Sequence, residues 1–394
     1  MLTREKTTEV IELCQRMVRV KSYSGEEKEL AEVMRDFFQK HGLTDIRADR
    51  YGNLIVSIQG KRPGRTILFD GHMDTVPVTN ASAWEHDPFA AEIADGKIYG
   101  RGTSDMKGAL AAMACAVVRF VDATDADFAG NLCLAGVVHE ECFEGVAARA
   151  ISAAVKPDVV IIGEASELNV KIGQRGRAEI VVETFGKAAH SANPEKGINA
   201  VYHMSKVIDA IQAIKPSVSP VLGKGILELT DIKSSPYPGA SVVPEYCRAT
   251  YDRRLLTGET RESVLAPIEK VMDTLMQTDS TINAKVSYAK GQEQCYTGNK
   301  IEGERFFPGW LYDEKEDFVQ AVLGQLRQDG FSPKVTQYNF CTNGSHYAGE
   351  AGIKTMGIGP SRENLAHRVD EYIEIDQLTS AVKCYYNVME ALLK

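Results

Sequence analysis

None of the eight cysteines in the 394-residue sequence belongs to a Cys-x-x-Cys pair. Neither a thiolate zinc site nor a disulfide framework is therefore suggested. Several cysteines sit inside apolar runs and read as reduced core thiols of a cytoplasmic protein. The sequence also has no apolar stretch of the roughly 20 residues that a bilayer demands. Its start, Met1-Leu2-Thr3-Arg4-Glu5-Lys6, leads into an amphipathic acidic segment rather than the apolar core of a signal peptide, so a soluble, intracellular chain is expected. Basic clusters are missing as well: 45 Lys and Arg stand against 54 Asp and Glu, for a net charge of -9. That balance argues against nucleic acid or an anionic membrane as the main partner and points to a small-molecule site. There is no internal repeat and no low-complexity linker.

What is present is enough apolar sequence for two domains. Val10, Cys14, Met17 and Val18 recur at helical spacing, and Ser24-Gly25-Glu26-Glu27 reads as a capping box for a second helix ending at Gly42. Strands are expected over 53–58 and 66–70, split by a turn at 60–64, with further strands over 132–138 and 159–162. Helices over 108–120 and 144–155 alternate with them, the pattern of a largely parallel sheet covered on both faces. Near Gly173 the texture changes to β-α-β-β-α-β: strands over 177–185, 225–232, 246–253 and 284–289, and helices over 198–214 and 261–276. The α/β pattern resumes at Lys315. The reading is a catalytic α/β domain in two parts, 1–174 and 293–394, with an inserted domain over 175–292.

The polar end of the strand Thr66-Ile67-Leu68-Phe69 carries Asp70-Gly71-His72-Met73-Asp74, an imidazole and a carboxylate that strand alternation would place on one side. A single His-x-Asp is more often a hydrogen-bonded pair than a metal ligand and its partner. Other segments change that balance. Gly102-Thr103-Ser104-Asp105 precedes a helix, Val138-His139-Glu140-Glu141 and Ile162-Gly163-Glu164 follow buried strands, and Ala366-His367 follows the turn Gly357-Ile358-Gly359-Pro360. All fall at the strand edge where open α/β sheets collect ligands. An imidazole and carboxylate set without thiolate suits zinc, with cobalt, manganese or nickel also possible, and a shared carboxylate would give a paired-metal hydrolytic site.

With these motifs in this order, the sequence resembles the M20 family of metallopeptidases and amidohydrolases along essentially its whole length. The closest likeness is to the selenium-metabolism-linked hydrolase subgroup, through Gly173-Gln174-Arg175-Gly176-Arg177, Asp252-Arg253-Arg254-Leu255, Phe307-Pro308-Gly309-Trp310 and Thr342-Asn343-Gly344. The resemblance implies a phosphorylase/hydrolase-like catalytic domain with a ferredoxin-like lid. Carried over by position, it makes Asp105 a carboxylate bridging two divalent ions, most simply zinc. His72 and Glu164 would complete one site, and Glu141 and His367 the other. It further implies Glu140 as general base, Asp74 as the partner orienting His72, and a cis peptide after Asp105. His190, in Gly186-Lys187-Ala188-Ala189-His190-Ser191, matches the family histidine that reaches the neighbouring subunit's site, implying a homodimer through the lid. Arg253 and Arg175 are the candidates for holding a substrate carboxylate; structural ion pairs would explain them about as well.

This chain departs from the family at His139, where an aspartate is common, and at Ser241, His346 and Ser361, all expected near substrate. His41, His86 and His203 are assigned no role, and Cys142 reads as a structural thiol. The implied activity is cleavage of an amide bond in an N-acyl or N-carbamoyl amino acid. A dipeptidase or carboxypeptidase is the alternative among enzymes, and a catalytically silent metal-binding scaffold the alternative outside them.

Overall fold

The computed structural model describes residues 4–394, with side chains from Thr7 onward. The chain forms two compact units. The first comprises the described residues through Gln174, Gln292–Glu302 and Leu311–Lys394; the second comprises Arg175–Gly291 and Gly303–Trp310. No helix among the described residues is long and apolar enough to cross a membrane.

The first unit opens with α1 (Arg4–Arg19) and α2 (Lys28–Lys40), followed by β1 (Ile46–Ala48), β2 (Leu54–Gln59) and β3 (Arg62–His72). The turn expected at 60–64 is instead the entry to β3. Arg62 already pairs with Ala129, and an irregularity before Thr66 absorbs Pro63 and Gly64. After β4 (Lys97–Tyr99), α3 (Gly108–Thr124) is buried along nearly its whole length. Its alanines present little bulk, so neighbouring layers approach closely without losing apolar contact. Then come β5 (Ala129–Val137), α4 (Ala148–Val155), β6 (Val159–Ile162) and β7 (Val170–Gln174).

The second unit begins with β8 (Gly176–Phe185) and α5 (Ala200–Gln212), and continues through β9 (Ile226–Ser235), β10 (Tyr246–Leu255), α6 (Arg261–Thr278) and β11 (Asn283–Tyr288). Its sheet runs β9-β10-β8-β11, all antiparallel. Ala178, Ile180 and Val182 alternate onto one face of β8. They pack with Met204, Val207 and Ile211 of α5 and with Ile268 and Met272 of α6. The two helix starts are secured by side chains: Asn199 accepts from Val201 N, and Thr260 and Ser263 cap each other. One segment departs from the expected boundary. Short β12 (Phe306–Phe307) joins this unit because it pairs with Ala178 and Arg177 of β8 and buries Phe306 in the same core.

The first unit resumes with α7 (Asp317–Gln328), β13 (Val335–Tyr338), β14 (Lys354–Gly357), β15 (Tyr372–Glu374) and α8 (Ile375–Leu393). Its sheet order includes β1-β2-β5-β3-β6-β14-β7. The neighbours β5, β3, β6 and β14 run parallel, whereas β2 and β7 pair antiparallel at their flanks. This order has a direct consequence. Four adjacent strands end at the same edge, and each is followed by one of the polar segments identified above.

Candidate active site

His72 closes β3, so its ring stands at the carboxyl edge of the sheet, 1% exposed. Its Nδ1 lies 2.8 Å from the main-chain oxygen of Asp74. A carbonyl only accepts, so Nδ1 carries the hydrogen and Nε2 faces inward. This revises the strand-alternation expectation. β3 ends before Asp74, and His72 is oriented chiefly by the Asp74 carbonyl, with the carboxylate 3.7 Å away. The carboxylate serves the neighbouring strand instead. Asp74 Oδ1 accepts from Glu140 N at 3.0 Å, and Oδ2 accepts from Glu141 N at 3.1 Å and from Ser24 Oγ at 2.7 Å.

The inward-facing groups fall into two sets that share Asp105. His72 Nε2 lies 2.9 Å from Asp105 Oδ1 and 3.4 Å from Glu164 Oε1. His367 Nε2 lies 3.2 Å from Asp105 Oδ2 and 3.0 Å from Glu141 Oε2. The peptide after Asp105 is cis. Glu140 belongs to the same pocket: one ligand atom each from His72, Glu140 and Glu164 lie within 4.8 Å of one another, as do atoms of His72, Asp105 and Glu141. Glu164 reaches this place because the loop after β6 presses against the loop after β14. A Cβ on Gly359 would sit 2.1 Å from the Gly163 carbonyl oxygen, so no other residue fits there.

The electrostatics show what the pocket calls for. Burial pushes Glu140 well above the usual carboxylate range, and burial and Asp105 push Glu141 up to about 7. Glu164 is raised by the same pair of causes. Hydrogen bonds to Asp105 and Glu141 carry His367 up to about 10, and His72 is raised against its own burial by Asp105 and Glu164. Burial would raise Asp105 too, but hydrogen bonds from His367 and His72 hold it low. The crowded carboxylates thus favour added positive charge. Glu140 Oε1 is moreover buried without a hydrogen-bond partner. Such an orphaned acceptor beside an N/O donor set fits divalent cations and a water between them.

The other predicted residues lie in the second unit. His190 is exposed and forms an isolated bridge with Val242, while Ser191 N donates to Ser241 O. The Nδ1 of His190 accepts from Ala192 N at 3.0 Å, which leaves Nε2 as the hydrogen-bearing nitrogen of the neutral ring. Arg253 does not present a guanidinium for substrate: it is 6% exposed and donates to Glu259 and to the carbonyls of Ile226 and Arg254. Burial without a partner would be prohibitive for this charge, and Glu259 supplies the partner. Arg175 donates to the Lys224 carbonyl at 3.3 Å.

Two of the departures noted in the sequence prove structural. His346 Nε2 meets Ser152 Oγ at 2.6 Å and Nδ1 meets Glu350 at 2.9 Å, while Arg149 grips Glu350 with two nitrogens. This has the atom order of a serine triad, but Ser152 sits in the C-terminal half of α4 and also donates to the Arg149 carbonyl. The carbonyl end of a helix repels a developing oxyanion, so the cluster is a staple. Ser361, at φ 67°, meets Ser104 Oγ at 2.6 Å behind Asp105.

Several supports stood in the sequence only as parts of motifs, with no role legible there. Asp70 accepts from Asn343 Nδ2 and Tyr347 Oη, and Asn343 also accepts from Gly145 N, which ties β3 to the loop bearing the glutamate pair. The paired residues lie 198 to 277 positions apart in the chain.

A parallel sheet with this cluster of imidazoles and carboxylates at its carboxyl edge defines a metal-dependent hydrolase. The model of Peptidase family M20/M25/M40 matches residues 68–391, and the chain belongs to that family. Among its relatives, the YgeY protein of Escherichia coli strain K12 is 31% identical over 94% of this chain and 91% of its own length. Succinyl-diaminopimelate desuccinylase 2 of Ruegeria sp. strain TM1040 is 28% identical over 96% of this chain and 94% of its own. In structure the chain is similar to the YXEP protein of Bacillus subtilis, described as a dinuclear metal binding peptidase, with a TM-score of 0.73, 14% identity and 98% of both chains covered.

Proposed function

We propose that the protein hydrolyses the amide bond of a small N-acyl or N-carbamoyl amino acid, with Asp105 shared between two divalent cations. His72 and Glu164 would hold one ion, and Glu141 and His367 the other. Zinc suits the donor set, as do cobalt and manganese; when bound, the ions polarise the substrate carbonyl and make water nucleophilic at neutral pH. The observation that carries this reading is Glu140, a buried carboxylate beside the ligand set with an oxygen that nothing else occupies. A protein that only bound metal would have no need of it.

Glu140 takes a proton from the attacking water and delivers it to the leaving nitrogen, a shuttle that its free oxygen beside the ligand set permits. Asp74, bonded to the backbone of both Glu140 and Glu141, keeps the base and its ligand neighbour apart in function although adjacent in sequence. His190, contributed through a lid-mediated homodimer, would donate Nε2–H to the oxyanion. Arg175 remains the candidate for the substrate carboxylate. The desuccinylase relative supports an N-acyl substrate.

The test is hydrolysis of a panel of N-acetyl, N-succinyl, N-formyl and N-carbamoyl amino acids and dipeptides by metal-stripped protein reloaded with zinc, cobalt or manganese. We expect cleavage of one N-acyl or N-carbamoyl class, reduced roughly 100- to 10,000-fold in Glu140→Gln with metal content unchanged. Cleavage confined to dipeptides, or silence with every metal, would sink the substrate assignment.

A further inference from the structure

Glu371 is a carboxylate near the site with both oxygens engaged, yet it faces no ligand position. It is fully buried. Its Oε2 accepts from Arg101 Nη1 at 2.7 Å, while Oε1 accepts from the backbone N–H groups of Ser104 at 2.8 Å and Asp105 at 3.2 Å. The same short segment binds the loop twice more: Gly100 N donates to the Glu371 carbonyl at 2.8 Å, and Ser104 Oγ donates to the Tyr372 carbonyl at 2.7 Å. Arg101 lies over the Trp84 ring, 5.3 Å from its centroid.

We propose that Glu371 is a positioning residue that builds the metal site before any metal arrives, by locking the Asp105 loop to the segment that carries His367. The inference rests on the assignment of Asp105 and His367 as ligands. The two come from opposite ends of the chain and must converge on one ion. Glu371 lies four residues beyond His367 and grips the amide of Asp105 itself, so one carboxylate sets the spacing between them. An ion pair serving stability alone could be satisfied by Arg101; the bonds to two successive amides at the shared ligand are what such a role does not require. With both oxygens held by N–H donors, Glu371 cannot stray into the site and compete for metal. Supports of this kind are worth roughly 10- to 100-fold in metal affinity.

The test compares wild type with Glu371→Gln, which keeps the shape and one acceptor oxygen but loses the charge. Cobalt is titrated into the metal-free proteins, following the visible absorption of bound Co2+ and thermal melting. In wild type two equivalents are expected. In Glu371→Gln the equivalent that engages His367 should weaken about 10- to 100-fold, with an altered cobalt spectrum, and the other, which shares Asp105, by less, at a melting temperature close to that of wild type. Unchanged affinities, or loss of both equivalents in step with the melting temperature, would overturn the proposal. Amide hydrogen exchange of metal-free wild type decides the matter even if the variant fails to fold. Ser104 and Asp105 should be protected before metal is added, and free exchange until metal binds would overturn preorganisation. Fewer than two cobalt equivalents in wild type, with those amides protected, would count against the two-metal reading and leave the Glu371 lock standing.

Discussion

The carboxylate of Asp74 accepts the backbone N–H of Glu140 at 3.0 Å, while the carbonyl of the same residue orients His72. One residue thereby couples the ends of two neighbouring strands. Asp74→Asn would turn a hydrogen-bond donor toward one of the two glutamate N–H groups or toward Ser24. The expected result is a folded protein with activity lowered about 10- to 100-fold, read from steady-state kinetics and metal content. Activity within twofold of wild type would show that the backbone carbonyl alone suffices.

Metal removal should cost stability. Asp105, Glu140, Glu141 and Glu164 are crowded into one buried pocket with two imidazoles as the facing cations. Ions that bind only the folded state stabilise it by about 4 kcal/mol at a thousandfold excess over the dissociation constant. A chelator should lower the melting temperature, and zinc or cobalt should restore it; a melt indifferent to both would contradict the ligand assignment.

The His346 staple makes a prediction about acid. Burial would raise Glu350, but His346 and Arg149 outweigh it and hold the carboxyl down at about 2, against an ordinary 4.5. A folded-state value below the unfolded one means that the stabilisation is complete above pH 4.5 and fades as pH falls toward 2. Its size is on the order of 2 kcal/mol. Melting temperatures of wild type and Glu350→Gln should differ most near neutral pH and converge as pH falls from 4.5 toward 2. A gap independent of pH would refute the ion-pair account.

Arg253 can be separated from substrate binding by a single variant. Replacing it with methionine leaves the half-buried Glu259 without its cation, which should cost about 2 kcal/mol. A lower melting temperature with unchanged KM is the expected pairing. A KM raised tenfold at constant stability would return Arg253 to the substrate pocket.

The strands and helices were legible because their apolar periodicities matched their environments: alternation on β8, where one face is buried, and continuous apolar runs on β5 and β6, covered on both. Local capping was less dependable. Ser24 and Glu27 have the spacing of a capping box, yet α2 has no side-chain cap. Ser24 donates to Asp74, and Glu27 Oε1 accepts from Gly25 N and His139 N. A buried carboxylate gains more from a hydroxyl than a solvated helix end does, so the site claimed the serine.

The chemistry of the ligands belongs to the sequence alone. Imidazoles and carboxylates after apolar strands, with no paired thiolates, define an N/O metal set whatever the fold, because the donor atoms decide which ions they suit. Which of these residues face each other was decided by the order of strands in the sheet, since only that order puts the ends of β5 and β6 on either side of His72. The supports were decided there too. Glu371, Asn343 and the Arg253–Glu259 pair acquire their roles from partners that folding brings close, and a buried charge takes its function from whatever compensates it.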